Sequence, residues 1–143
     1  MKILLLTDRL DTGGAETHLV ELARGLRLAG HEVAVLSGGG ACADVLEREG
    51  IPQYRVPLPT HDPLRLLAIR KTIKRLVRLH GYEILHAHAR LPALLLRGRW
   101  RRVGRVVTVH ASFRCDRLRF RLSYWGERTV AVSEDLRSYL MER

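Results

Sequence analysis

Cysteine is nearly absent from the sequence, and long apolar runs are absent altogether. Only two cysteines occur in 143 residues, Cys42 and Cys115, and neither has a partner at the spacing of a metal-binding motif. This usage predicts reduced thiols in a cytoplasmic protein rather than a disulfide framework. No stretch approaches the roughly 20 apolar residues that cross a bilayer. The apolar run before Thr7 is also too short for a secretory signal peptide.

The chain as a whole has the composition of a globular protein. Acidic residues are nevertheless missing from one long segment of it. The formal net charge is +10, which favours an acidic partner. Residues 63–82 contain no acidic residue. The apolar spacing there predicts a helix that begins with Asp62 as N-cap and Pro63 in its first position. Its apolar stripe, which we expect to face a sheet, is Leu66, Ile69, Ile73, Leu76 and Val77.

Five basic residues would project outward from this helix: Arg70, Lys71, Lys74, Arg75 and Arg78. We hypothesise that they face an anionic membrane surface, which would place the protein in the cytoplasm at the inner face of the membrane. The alternative is an ordinary solvated helix face. A second basic and aromatic helix is predicted from about Arg117 to Trp125.

Short aliphatic runs alternate with helical patterns along the whole chain. The runs lie at residues 3–6, 31–37, 51–58, 82–89, 105–112 and 128–133. Continuous aliphatic strands that alternate with helices predict an α/β fold, a Rossmann-like, doubly wound parallel sheet with helices on both faces. The third run contains two prolines, which predicts a position near the sheet edge. The sequence thus predicts one domain over residues 1–143.

Two glycines, Gly13 and Gly14, stand between the first predicted strand and the first predicted helix. Glycines here let backbone amides approach a ligand, and the following helix adds free N–H groups and the positive end of its dipole. Diphosphate is the anion that suits such a loop. The alternative is that the glycines only make a tight turn. The pattern is neither G-x-G-x-x-G nor a phosphate loop that ends in Lys-Ser/Thr, which disfavours dinucleotide and NTPase functions.

Ligands of doubly wound sheets bind at the carboxyl ends of the strands. Four segments bring glycine or polar residues to that edge: "DTGGAE", "SGGG", "HAHAR" and "HASFR". We expect them to converge on one cleft.

The stretch "GGAETHLVELARGLRLAGHEVAVL" resembles the amino-terminal signature of family 4 glycosyltransferases, which have the GT-B architecture of two Rossmann-like domains. Four further segments fit in order: "KILLLTD", "YEILHAHARLPALL", "RVVTVHASF" and "TVAVSEDLRSYL". The resemblance implies that the chain is the amino-terminal, acceptor-side domain. It also implies a retaining transfer from a UDP- or GDP-sugar, with no metal or other cofactor. The basic patches of the chain suit an acceptor that is lipid-linked or part of an anionic cell-envelope glycan.

The sequence departs from the family in one respect. The family's donor-binding domain carries two glutamates seven residues apart, and no such segment is found in a suitable place. We therefore expect half an enzyme, inactive without a carboxy-terminal donor domain supplied in cis or as a separate chain. The alternatives are a stand-alone subunit of a split glycosyltransferase and a non-catalytic nucleic-acid-binding domain. No nucleic-acid motif supports the last alternative, so nucleic acid is disfavoured as a partner.

Individual residues receive the following expected roles. The resemblance implies that His110 is catalytic, near the donor sugar and diphosphate; a strand-end histidine is otherwise more often structural. His88 is expected at the cleft mouth, and His86 against a helix. With His110 the pair could form a three-histidine metal site, but no carboxylate or cysteine completes it, so we expect no metal.

Two charged residues near the predicted cleft are further candidates for the substrate site. Arg90 is a candidate for binding an anionic acceptor or a phosphate, and the alternative is a solvated loop arginine. Glu16 is expected beside the diphosphate loop, where its carboxylate accepts backbone N–H groups. Ser133 and Glu134 are expected to be only an N-cap and a first-turn acid.

Overall fold

The protein is described by a computed structural model, which covers residues 1–111, 120 and 123–142. Its six strands form one parallel sheet in the order β3-β2-β1-β4-β5-β6. The strands are β1 (Lys2–Leu6), β2 (Glu32–Ser37), β3 (Gln53–Arg55), β4 (Ile84–Ala87), β5 (Gly104–Val109) and β6 (Arg128–Ala131). The helices are α1 (Gly14–Leu28), α2 (Ala43–Arg48), α3 (Pro63–His80), α4 (Arg90–Leu95) and α5 (Glu134–Met141). The predicted parallel α/β architecture is confirmed.

Alternate residues of β1 supply two separate hydrophobic cores. Leu4 and Leu6 lie in the core on the α3 face of the sheet, together with Ile69 and Ile73. The intervening strand residues lie in the core on the α1 face, which contains Ile3, Leu5, Val33, Val35, Leu19 and Ala23. A strand buried on both faces reads as a continuous aliphatic run because successive side chains point in opposite directions.

Helix α3 begins as the sequence predicts, with Asp62 as its N-cap. The Asp62 carboxylate accepts the N–H of Leu64 at 2.9 Å, Pro63 occupies the first turn, and Gly81 ends the helix with φ 70°. Gly81 suits this position because the left-handed backbone conformation there strains most residues other than glycine and asparagine. No helix in the described part of the chain is long and apolar enough to cross a membrane.

Two predicted elements differ in extent from the structure. Strand β3 has three residues rather than the eight between 51 and 58, because its flanking prolines cannot donate to the ladder; its edge position is confirmed. The predicted helix from about Arg117 to Trp125 lies largely outside the described residues. Residues 123–125 are described and are not helical, so that helix does not reach Trp125.

Candidate functional site

The strand order reverses between β1 and β4, and the loops on either side of this point form the candidate site. Strand β1 pairs with β2 on one side and with β4 on the other. The chain leaves β1 toward the glycine loop, leaves β4 at His88 and leaves β5 at His110. A crevice at such a switch point is where open α/β sheets bind ligands.

The glycine loop presents an uncapped helix N-terminus. Gly13 is the N-cap of α1 in an extended conformation, and no side chain accepts a hydrogen bond from the first turn. The Thr17 hydroxyl donates instead to the Gly13 carbonyl at 2.8 Å. The first N–H groups of α1 are therefore available to an anion, and the helix dipole favours negative charge there.

The backbone conformation of the loop does not explain why these residues are glycines. Neither Gly13 nor Gly14 has a positive φ. A Cβ built on Gly14 would meet nothing within 4 Å, whereas one on Gly13 would collide with the carboxylate of Glu16. The Glu16 carboxylate accepts no N–H from the described backbone, so the hydrogen bonds expected of it are absent there.

The glycines after β2 have a different role from those before α1. A Cβ on Gly38 would overlap the Leu58 carbonyl oxygen, and one on Gly40 would overlap the backbone of Leu10. Gly40 also has φ 147°, and Gly39 has φ 81°. This segment is glycine-rich because three backbone segments pack together, so its contribution is to packing of the loop.

Four histidines from three parts of the chain stack at the switch point. The ring centroids of His86 and His88 are 4.3 Å apart, and those of His88 and His110 are 5.6 Å apart. His18 of α1 joins them, with its centroid 5.0 Å from that of His110. His88 Nδ1 lies 3.3 Å from His110 Nε2, and His86 Nε2 lies 2.7 Å from the Thr108 hydroxyl. The structure thus brings His88 and His110 together.

The sequence reasoning missed His18. His18 lies on the same face of α1 as Gly14 because it follows Gly14 by four residues, about one helical turn. That spacing could have indicated it. His88 is 5 % exposed, so it lies below the cleft surface rather than at its mouth.

Burial keeps the imidazoles of His86 and His88, which we call the inner histidines, neutral at physiological pH. It lowers the pKa of His86 to about 4, and it lowers the pKa of His88 further. The pKa of His110 is also lowered, chiefly by burial, although the Glu16 carboxylate partly opposes this. Neutral imidazoles accept protons and ligate metals, but they contribute no net charge to anion binding.

Arg90 supplies positive charge to the cavity that His88 and His110 also line. It is the first residue of α4, its side chain is exposed, and it lines a cavity of about 180 Å³. His88, His110 and Trp125 line the same cavity. An exposed guanidinium in this position can pair with an anionic group that enters the cleft.

Asp8, at the carboxyl end of β1, was not identified from the sequence. Burial raises the pKa of its carboxyl to about 6, with His61 opposing the rise. Its Oδ1 atom is buried without a hydrogen-bond partner in the described chain. The sequence gives no sign of this burial, because an aspartate after a strand is usually solvated.

The outward face of α3 combines cations with leucines. Leu64, Leu67 and Leu79 are 77 %, 51 % and 63 % exposed. Lys71, Lys74, Arg75 and Arg78 are exposed on the same side of the helix, opposite its buried stripe. Arg70 is half-buried, and its guanidinium carbon lies 5.8 Å from the ring centroid of Trp100. We call Leu64, Leu67, Lys71, Lys74, Arg75, Arg78 and Leu79 the outer face of α3.

The sheet order defines a Rossmann-like domain with a crevice at its switch point. The chain belongs to glycosyltransferase family 4, whose model matches residues 12–143. Its fold is that of one half of a GT-B glycosyltransferase.

Several solved structures share this fold. A glycosyltransferase from Rickettsia africae is 20 % identical with a TM-score of 0.82, and the match covers 99 % of this chain and 39 % of that one. HepE (Alr3699) of Anabaena, solved in complex with UDP, is 19 % identical with a TM-score of 0.71, over 99 % of this chain and 40 % of that one. MurG of Acinetobacter baumannii is 15 % identical with a TM-score of 0.67, over 94 % and 42 %.

The chain therefore spans about 40 % of the length of these proteins. A comparison with proteins of curated function found no significant match.

Proposed function

We propose that the chain is the acceptor-binding, amino-terminal half of a retaining glycosyltransferase. It would act with a donor-binding half, in cis or as a separate subunit, to transfer a sugar from a UDP- or GDP-sugar to a lipid-linked or cell-envelope glycan. The observation that carries the proposal is Gly14, a glycine that the fold does not require, at the uncapped N-terminus of a helix whose His18 ring lies 5.0 Å from that of His110. The UDP bound by the Anabaena relative supports a nucleotide-sugar donor.

The proposed chemistry is electrostatic stabilisation of a leaving group. The first N–H groups of α1 point at the departing diphosphate and act without reorganisation. The imidazole of His110 acts beside them, held by the contact of its Nε2 atom with His88 Nδ1 at 3.3 Å. Arg90 contacts an anionic group of the acceptor or the diphosphate. Since the inner histidines are neutral, the positive potential in the cleft comes from the helix terminus and the arginine.

The proposal is tested first by anion binding to the chain itself. UDP and inorganic pyrophosphate are titrated into the chain while backbone amide shifts of residues 13–17 are followed by NMR. Gly14→Val places methyl groups where the anion approaches, and loss of amide contacts weakens binding by at least about tenfold. The matched control is Gly25→Val, since Gly25 lies in the same helix and its Cβ would also meet nothing within 4 Å.

Both variants are expected to keep a melting temperature within a few degrees of the parent chain. Unchanged UDP affinity in Gly14→Val, or an equal loss in Gly25→Val, contradicts the diphosphate role. A collapse in stability of Gly14→Val alone shows instead that the glycine only serves the turn.

The half-enzyme proposal is tested by activity. The chain is incubated with labelled UDP- and GDP-sugars and with lipid-linked and glycan acceptors, and we expect no sustained transfer. Turnover at ordinary enzyme rates by the chain alone would refute the need for a second half.

We further propose that the outer face of α3 holds the protein at an anionic membrane. Each cation near such a surface contributes about 1 kcal/mol, and the exposed leucines add apolar contact with the acyl boundary. Removing three cations (Lys71, Lys74 and Arg75→Gln) should then weaken binding to anionic vesicles roughly 100-fold at low salt. The control removes three cations from elsewhere (Arg27, Arg48 and Arg128→Gln).

Co-sedimentation with neutral and anionic vesicles at low and physiological salt provides the measurement. We expect binding that requires anionic lipid, falls with salt and survives the control substitutions. Equal losses in the two triple variants indicate a general charge effect and contradict a specific face, as does equal binding to neutral vesicles.

A further inference from the structure

Three imidazoles at the switch point have the arrangement of a metal site. His18 comes from α1, His88 follows β4, and His110 follows β5. One ring nitrogen of each lies within 4.8 Å of the others. This trio differs from the one that the sequence suggested, because His86 bonds to Thr108 and His18 takes its place.

The nitrogen spacing fits a small tetrahedral ion. Zn–N bonds of about 2.0–2.1 Å in tetrahedral geometry place two ligand nitrogens about 3.3 Å apart. The observed distance from His88 Nδ1 to His110 Nε2 is 3.3 Å. A ring nitrogen of His18 lies within 4.8 Å of the other two, and because His18 is exposed on α1, rotation of its side chain can bring this nitrogen to the ion.

One nitrogen of the His88 ring has no hydrogen-bond partner in the described chain. His88 is buried, and its Nε2 atom has no hydrogen-bond partner in the described chain. A buried imidazole normally has both nitrogens engaged, because an unpaired polar atom costs free energy. In the described chain the hydrogen-bonding contact of this ring is made by Nδ1, which lies 3.3 Å from His110 Nε2, and Nδ1 is the nitrogen that would bind the ion.

We propose that His18, His88 and His110 bind one divalent transition-metal ion of the zinc class, with its fourth position open to the cleft. Three imidazoles select Zn²⁺, Co²⁺, Ni²⁺ or Cu²⁺ over Mg²⁺ and Ca²⁺, which prefer oxygen ligands. The ion is not a cofactor of the proposed sugar transfer. Metal binding itself does not depend on the proposed function.

The experiment titrates Co²⁺, and then Zn²⁺ in competition, into the untagged chain. The visible absorption of tetrahedral Co²⁺ reports the site, and calorimetry gives the stoichiometry. We expect one ion per chain, displacement by Zn²⁺, and no displacement by excess Mg²⁺.

The decisive variant is His18→Asn, because His18 is exposed and its loss does not disturb the core. We expect the affinity for Co²⁺ to fall at least about tenfold, in line with the loss of one ligand. His80→Asn, at the exposed end of α3, is the matched control and should bind as the parent does. His110→Asn, which removes a half-buried ligand, should lose the tetrahedral absorption.

Amide spectra of each variant establish that it is folded. The proposal is overturned if the parent chain binds no Co²⁺, if His18→Asn binds it as tightly as the parent, or if His80→Asn loses as much affinity as His18→Asn.

Discussion

The buried carboxyl of Asp8 should make the stability of the protein depend on pH in a way that one substitution removes. In the folded chain this group keeps its proton up to about pH 6, whereas its ordinary pKa is 3.8. Between these values the folded state holds a proton that the unfolded state has lost. The free energy of unfolding therefore decreases as pH rises through that interval and levels off above it.

The magnitude follows from the pKa change. A rise from 3.8 to about 6 corresponds to an upper limit of about 3 kcal/mol. Asp8 is only half-buried, so solvent screening reduces this value, and we expect about 1–2 kcal/mol. Asp8→Asn is neutral at every pH. Relative to the parent chain, the variant should gain about 1–2 kcal/mol between pH 4 and pH 7.

Urea unfolding followed by circular dichroism at half-unit steps from pH 4 to pH 8 measures this difference. The lowered pKa values of the buried histidines give an opposite trend, but it is common to both proteins and cancels in the difference. Asp44→Asn, an exposed carboxyl on α2, controls for net charge and should show no comparable trend. A difference between Asp8→Asn and the parent that stays constant across this range refutes the argument from burial.

Three further substitutions and one control test a helix cap and the packing, each by urea unfolding at pH 7. Asp62→Ala removes the side-chain acceptor at the start of α3 and should cost about 1 kcal/mol, whereas an unchanged midpoint would contradict the cap. Leu85→Ala leaves a cavity at a fully buried position of β4 and should cost about 2–5 kcal/mol; a loss below 1 kcal/mol would mean that the site is not close-packed. Gly38→Ala forces a methyl group against the Leu58 carbonyl and should destabilise by roughly 1–3 kcal/mol, while Gly14→Ala should not.

The sheet and its helices could be predicted from the sequence because local signals and tertiary packing agree. The aliphatic run of β1 serves two cores, and Asp62 and Pro63 mark a helix start without any tertiary information. Strand β3 is shorter than predicted because the prolines on either side of it cannot donate hydrogen bonds to the ladder.

The candidate site could be predicted only in part, because it depends on distances across the fold. Gly14, His88 and His110 follow strands that the pattern had located, so their convergence was predictable. His18 lies on a helix, and its approach to His110 depends on how α1 sits over the sheet. Burial of Asp8 likewise depends on the loops that cover the end of β1, which no local pattern encodes.

Because β1 contributes side chains to two cores, the two helices that carry the proposed surfaces pack in different layers. Helix α1, which carries the glycine loop, is anchored by Leu19 and Ala23 in one layer. Helix α3, which carries the cationic and leucine-bearing surface, is anchored by Ile69 and Ile73 in the other. The two helices share a strand but little side-chain contact, so substitutions that loosen one layer raise amide exchange there first. The proposed diphosphate site and the proposed membrane-facing surface therefore depend on different layers of the core.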